Sequence, residues 1–314
     1  MDSDGPEDAM DLRQLAALVA IADTGTFSAA ADVLHTVQSN VSTHVARLER
    51  ELGVTLVDRA AGRLTEEGEA VVARARRVSA ELEALQADVA SLRDEVSGPA
   101  RMGVIGTTAR WLVPAVLSAM EVAHPKVAVS VLEGNNTSLV PQLTSGRLDL
   151  AVVNAPIDDP DLVLEPLYDE DLVLVVPPDH PLVDREVVCM ADLDGHELLL
   201  GPEGTAFRSD LDRAAAAAGI TLRPKVELDG LRLIASLCFE GFGAAILPSA
   251  AIPRWLKGSE AFRRIPITDA GMRVVAVASR RRGLPSAPAR VLHEVMVEVL
   301  RVQAAVLEGV HPSR

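Results

Sequence analysis

The residues whose types and spacing could do chemistry begin with one short amphipathic stretch. Val41, Val45, Leu48 and Leu52 recur at helical spacing and give a helix from about Gln38 to Leu52 one buried face. At about 100° per residue the opposite face carries Ser39, Thr43, Ala46 and Arg50. Ser42 and Arg47 flank that face, and Gln38 opens it. Small polar side chains can approach base edges closely while arginines reach phosphate. Gln38, Ser39, Ser42 and Thr43 are therefore candidate base contacts, and Arg47 and Arg50 candidate phosphate contacts. An ordinary solvated helix face has the same composition, so this helix alone leaves both readings open.

Its surroundings supply context. Leu12, Leu15, Val19 and Ala22 follow helical spacing up to Gly25, and Thr26-Phe27-Ser28 offers small hydroxyls to cap a short second helix. Ser28 is counted with the DNA-facing set. Gly53 stops the third helix. Val54–Val57 reads as a short strand, and Arg59-Ala60-Ala61-Gly62-Arg63 as a basic turn, with Thr65 placed to cap the next helix. A helix-turn-helix followed by a basic wing is a DNA-docking arrangement, and Arg63 joins the candidate phosphate contacts.

From Glu69 to Val96 no Pro or Gly interrupts the helical pattern. Val71, Val78, Leu85 and Leu92 repeat every seven residues, and Ala75, Leu82, Val89 and Val96 repeat with an offset of four. Such a seam predicts a dimerising coiled coil; a single helix packed on its own domain is the alternative. Ser97-Gly98-Pro99 ends it. The domains expected are 10–68, a winged helix-turn-helix; 69–97, a linker helix; and 100–308.

The third part alternates strands and helices, which predicts α/β architecture with a mainly parallel sheet, in two lobes sharing a cleft. Expected strands include Arg101–Gly106, Leu148–Val153, Leu172–Val176, Leu198–Leu200 and Arg273–Ala278, and a last helix runs from about Ala287 to Leu307. Ligands in open α/β sheets lie at the carboxyl ends of strands. Thr107, Thr108, Asn154, Gly204 and Thr205 occupy such places and are candidate effector contacts, although Thr108 would serve equally as a helix cap. Phe207 and Trp111 suit the cleft mouth or the core. A carboxylate held by backbone N–H groups and hydroxyls would fit, so a small, anionic effector is expected.

Composition bounds the function. The chain has 314 residues, 48% hydrophobic and 24% charged, which suits two folded domains. Its net charge is −15, yet Leu12–Glu66 holds five basic residues against six acidic ones. DNA affinity would then rest on a few placed arginines, helix N-termini and several engaged subunits. No apolar run is long enough to span a membrane, and the acidic start before Met10 is no secretory signal, so the cytoplasm is expected. The two cysteines, Cys189 and Cys238, sit in apolar runs without basic neighbours and read as structural rather than redox-active. His35 and His180 read as structural too. No metal spacing, P-loop or nucleophile elbow is present, so neither catalysis nor a metal or cofactor is expected.

The residues resemble the LysR-type transcriptional regulators. The resemblance rests on Met10-Asp11-Leu12-Arg13-Gln14-Leu15, on Thr26-Phe27-Ser28 with Ala30-Ala31 and Leu34-His35, and on Gln38-Ser39 with Val41-Ser42. Leu48-Glu49, Glu51-Leu52-Gly53-Val54 and Leu64-Thr65-Glu66 with Gly68 continue it. Later runs are Ser145–Val152, Asp179-His180-Pro181-Leu182 and Gly241–Pro248. The resemblance implies a winged helix-turn-helix, a dimerising linker helix and a two-lobed effector domain like a periplasmic binding protein. It implies dimers of dimers on double-stranded promoter DNA, responsive to a small molecule. Val37 and Thr43 depart from the family's usual Ser and Arg, which removes one cap and one DNA contact. A two-lobed solute-binding protein and a regulator without a ligand are the alternatives.

Overall fold

Asp11 starts the first helix, α1 (Leu12–Thr24), through a capping box: its carboxylate accepts from the Gln14 N–H at 2.9 Å, and the Gln14 side chain accepts from the Asp11 N–H. This computed structural model describes residues 10–92, 96–253 and 261–313. The acidic start and residues 93–95 of the expected linker lie outside the described residues. Two compact units result, the first running to Gln86 and the second taking in nearly everything from Ala87 on. No single described helix is long and apolar enough to cross a membrane.

In the first unit, Gly25 ends α1 in a left-handed conformation (φ 78°), and Thr26 caps α2 (Phe27–Val33) by accepting from the Ala29 N–H. The third helix, α3 (Gln38–Leu52), has no side-chain cap at Val37. Val41, Val45 and Leu48 are fully buried and pack with Leu15, Leu18, Ile21, Ala30 and Leu56. Two details correct the sequence reading. Leu12 and Leu52 are exposed, because the core-facing stripe of α1 runs through Leu15, Leu18 and Ile21 and Gly53 turns the chain away after Leu52. The wing strands are β1 (Val57–Asp58) and β2 (Arg63–Leu64), antiparallel and shorter than the expected Val54–Val57 strand.

Thr65 starts α4 (Glu66–Ser91) by accepting from the Gly68 N–H at 3.0 Å. Val72 and Ala75 are buried in the core of the first unit, and Val71 packs against it. Beyond them Val78, Leu82, Leu85, Val89 and Leu92 form an exposed apolar stripe.

The second unit holds two lobes. The first is built on β3 (Gly98–Ile105), β4 (Val127–Gly134) and β5 (Leu150–Ala155), covered by α5 (Gly106–Ala123), α6 (Asn136–Thr144) and α9 (Ala287–Ala304). Its core includes Met102, Val104, Leu112, Leu139, Val152 and Leu292. The second lobe contains β7 (Glu197–Leu200), α7 (Ala206–Ala217), β8 (Arg223–Glu227), α8 (Leu231–Phe239), β9 (Ala245–Pro248) and β10 (Arg263–Pro266).

One long strand joins the lobes. The first part of β6 (Leu162–Val176) pairs with β11 (Met272–Arg280), and its last residues pair with β9 and β10. The C-terminal β12 (Val310–Pro312) also lies along β6. All these pairings are antiparallel, whereas β3 pairs parallel with β4 and β5, and β7 with β8. The sheet is therefore mixed rather than mainly parallel, because the chain returns from the second lobe along β11 beside the strand that entered it.

Candidate DNA-binding face and effector cavity

In the first unit, helix and wing are held as one surface. Glu49 on α3 accepts from the Leu56 and Val57 N–H groups at 2.9 and 3.2 Å and pairs with Arg59 at 3.3 Å, so it ties the wing to the helix. Asp58 accepts from the Ala60 and Ala61 N–H groups and shapes the wing turn, which Gly62 closes at φ 66°. Gly68 must lack a side chain, since a Cβ there would lie 2.0 Å from the Leu56 carbonyl oxygen.

Ser28, Gln38, Ser39, Thr43, Arg47, Arg50 and Arg63 are exposed, and Ser42 is half-buried. Thr43 donates to the Ser39 carbonyl at 2.8 Å, and Arg47 lies 3.6 Å from Glu51. Ser28, Gln38 and Ser42 line a groove of about 410 Å³ together with Thr26, Phe27 and Arg59. Arg59 was not among the candidates read from the sequence. It lies over the Phe27 ring, 5.9 Å from its centroid, a contact between residues too far apart in the chain for spacing to reveal.

In the second unit a cavity of about 400 Å³ opens between the lobes. From the first lobe it takes Thr107, Glu133, Asn135, Ser138 and Asn154; from the second, Asp229 to Arg232; Arg273 of β11 also lines it. A smaller neighbouring cavity shares Asn135, Asn154 and Asp229 and adds Thr205 and Phe207. Thr107, Asn154, Thr205 and Phe207 are thus brought to one region. Thr108 and Gly204 are not. Thr108 is fully buried and bonded to the Tyr168 hydroxyl at 2.6 Å, and Gly204 supplies a left-handed turn (φ 82°) before α7. Trp111 packs on Tyr168 in the core, with ring centroids 5.7 Å apart.

The charges at this cavity were missed by the sequence reading. Arg273 is buried and donates through Nε to Glu170 at 2.7 Å and through Nη2 to Glu170 and, at 2.7 Å, to the Thr107 hydroxyl. Glu170, fully buried, also accepts from the Ala250 N–H at 3.1 Å. Arg232 of α8 pairs with Glu133 of β4 across the cavity. Arg110 donates to the Ala251 carbonyl, and burial, followed by the charge of Arg232, lowers its pKa. An arginine inside the apolar alternation of β11 was the one available signal. The Asn154 Oδ1 is buried with no hydrogen-bond partner. Among the described residues no cluster of His, Cys, Asp and Glu is suited to a metal.

The cysteines occupy different settings. Cys238 is fully buried, donates to the Val175 carbonyl at 3.3 Å, and burial pushes its thiol pKa up to about 12. Cys189 is half-buried, and its thiol donates to the Asp192 carboxylate at 3.3 Å. The Cys189 N–H also bonds that carboxylate, and this bond is the chief cause of the lowered Asp192 pKa.

Comparison with known proteins agrees with both halves. The bacterial regulatory helix-turn-helix family of LysR type matches residues 12–69, and the LysR substrate binding domain matches residues 93–301. The chain is 29% identical over 296 residues to the DNA-binding transcriptional dual regulator OxyR of Escherichia coli K12, covering 94% of this chain and 96% of that protein. A full-length OxyR from Pseudomonas aeruginosa, carrying a cysteine-to-aspartate substitution, superposes with a TM-score of 0.76 at 27% identity, covering 98% of this chain and 99% of that one. Full-length CbnR in complex with its target DNA gives 0.65 at 27% identity, covering 94% and 100%. The chain belongs to the LysR family of bacterial helix-turn-helix transcriptional regulators.

Proposed function

We propose that this LysR-type regulator binds operator DNA as a homodimer, in the cytoplasm, and responds to a small molecule held between the lobes of its second unit. The observation that carries this reading is the pairing of two surfaces in one chain. One is an exposed polar and basic helix face beside a basic wing; the other is a cavity of about 400 Å³ lined by polar groups. Gln38, Ser39, Ser42 and Thr43 read base edges, and Ser28, Arg47, Arg50 and Arg63 hold phosphates. The α4 stripe from Val78 to Leu92 supplies the dimer contact, since an apolar stripe in water gains by burial. The protein's role is regulation, not catalysis.

Several of its relatives are named hydrogen peroxide-inducible genes activators. Peroxide sensing through a thiol needs a reactive thiolate. Burial keeps the Cys238 thiol protonated, and the Cys189 thiol is engaged in a hydrogen bond to the Asp192 carboxylate. In this reading the signal is a reversibly bound effector. The test is footprinting on the DNA upstream of the protein's own gene, with and without metabolite pools. A protected site whose occupancy shifts with a pool is expected. Absence of protection would refute the reading.

A further inference from the structure

We infer that the effector is a zwitterion of the α-amino acid class, which inserts between Glu133 and Arg232 and takes over both ends of their ion pair. The inference rests on the effector reading above and adds its chemical class.

The cavity wall carries both signs of charge. Glu133 and Asp229 are acidic; Arg232 and Arg273 are basic. Arg273 is already committed to Glu170 and Thr107 inside the protein. That leaves Arg232 as the cation facing an incoming ligand, and it is held by Glu133 of the opposite lobe. Asp229 forms no ion pair with any described residue. A simple anion that took Arg232 would strand Glu133 in a cavity that also holds Asp229, two carboxylates without a counter-charge. A simple amine that took Glu133 would strand Arg232. A ligand with a carboxylate at one end and an ammonium at the other leaves both Arg232 and Glu133 paired.

The surrounding groups favour the same orientation. The first turn of α8 lines the cavity with Gly230 and Leu231 and has no side-chain cap, so its N–H groups and dipole favour the carboxylate beside Arg232. In the same cavity wall, the buried and unpartnered Asn154 Oδ1 is a further acceptor available to an ammonium. Gly106 underlies the pair: a Cβ there would lie 2.8 Å from the Glu133 Oε1 and 3.0 Å from the Arg232 Cδ. Because Glu133 and Arg232 belong to different lobes, exchanging their direct bond for a bridging ligand changes how the lobes are held, which is what an effector must do.

The test is titration calorimetry of the full-length protein with each common α-amino acid. For every binder, the deaminated acid and the decarboxylated amine with the same side chain are titrated too. At least one amino acid should bind, with both one-charge analogues about tenfold weaker or more. Glu133→Gln should weaken the amino acid and strengthen the deaminated acid, which then strands no Glu133 charge, closing the gap between them. Gly106→Ala, which keeps both charges but displaces the pair, should also weaken the amino acid. If no amino acid binds, or the deaminated acid binds as tightly as its amino acid, the inference is wrong. Gel shifts with operator DNA on the same samples separate the two readings. Operator binding without amino acid binding refutes only the ligand class. Amino acid binding that leaves operator affinity unchanged refutes the effector role of the cavity.

Discussion

Replacing Glu170 by Leu removes one partner of an ion pair that the fold has taken out of water. Glu170 is 0% and Arg273 6% exposed. The substitution leaves the guanidinium charge buried without its carboxylate, which typically costs about 3–5 kcal/mol. It also leaves the Ala250 N–H without its acceptor, a loss of about 1–3 kcal/mol when counted alone. The two losses share one site and do not simply add, so the single variant should lose about 4 kcal/mol. Arg273→Met in the same chain removes the stranded charge and leaves only the Ala250 N–H and the Thr107 hydroxyl short of a bond. The double variant should therefore be about 2 kcal/mol more stable than Glu170→Leu alone. Urea denaturation measures this, followed by far-UV circular dichroism and by fluorescence of Trp111, which packs on Tyr168 in the same lobe. A single variant within about 1 kcal/mol of wild type would refute the reasoning. So would a double variant no more stable than the single.

The other expectations concern the first unit, α4 and the cysteines. Leu82→Asp with Leu85→Asp should dissociate the homodimer in sedimentation velocity and weaken operator binding with it; unchanged assembly would rule out the α4 stripe as the contact. Gln38→Ala should cost about 1–3 kcal/mol on the operator and relax preference at one base position, while Arg63→Ala should weaken all sequences alike and flatten the salt dependence, both read by binding titrations at several salt concentrations. Gly68→Ala should cost about 1–3 kcal/mol in thermal unfolding, because its Cβ meets backbone, not a movable side-chain tip. Cys238 should resist thiol reagents until the protein unfolds. Its raised pKa gives a stabilisation present below about pH 9 and lost as pH climbs toward 12, measurable as a falling unfolding midpoint in alkaline buffer.

The first unit was legible in the sequence because its contacts are local. Thr26, Gly25, Gly53 and Thr65 each act within a few residues of themselves, and the buried stripe of α3 repeats within one helix. The heptads of α4 were legible for the same reason, yet their first positions went elsewhere. Ala75 is 1% exposed within its own unit. Periodicity says which face of a helix is apolar, not what covers it, and the core around Val45 and Leu56 takes the first turns of that face before any second chain can. In the effector domain, strands and helices appeared in the expected order, but the direction of pairing did not. An antiparallel return such as β11 beside β6 leaves no mark on either strand, since both alternate or run apolar whichever way the neighbour points.

The charges of the cavity were out of reach for a stronger reason. Glu133 meets Arg232 over 99 residues of chain, and Arg273 meets Thr107 over 166. Each, read alone, is an ordinary charged residue. The residues proposed to read DNA sit on one helix and its wing, so a handful of neighbouring positions carries both the motif and the proposed function. The proposed effector cavity is assembled from strand ends and a helix start drawn from most of the second unit. Changing what it binds requires only that a few scattered side chains change, with no motif disturbed. A chain can therefore keep the sequence signature of its family across the helix-turn-helix while its signal is set by contacts that no run of residues displays. That is why its likeness to proteins named for hydrogen peroxide does not fix its own signal. The thiols of Cys189 and Cys238 face a carboxylate and a backbone carbonyl, whereas the charged pair of Glu133 and Arg232 faces the cavity.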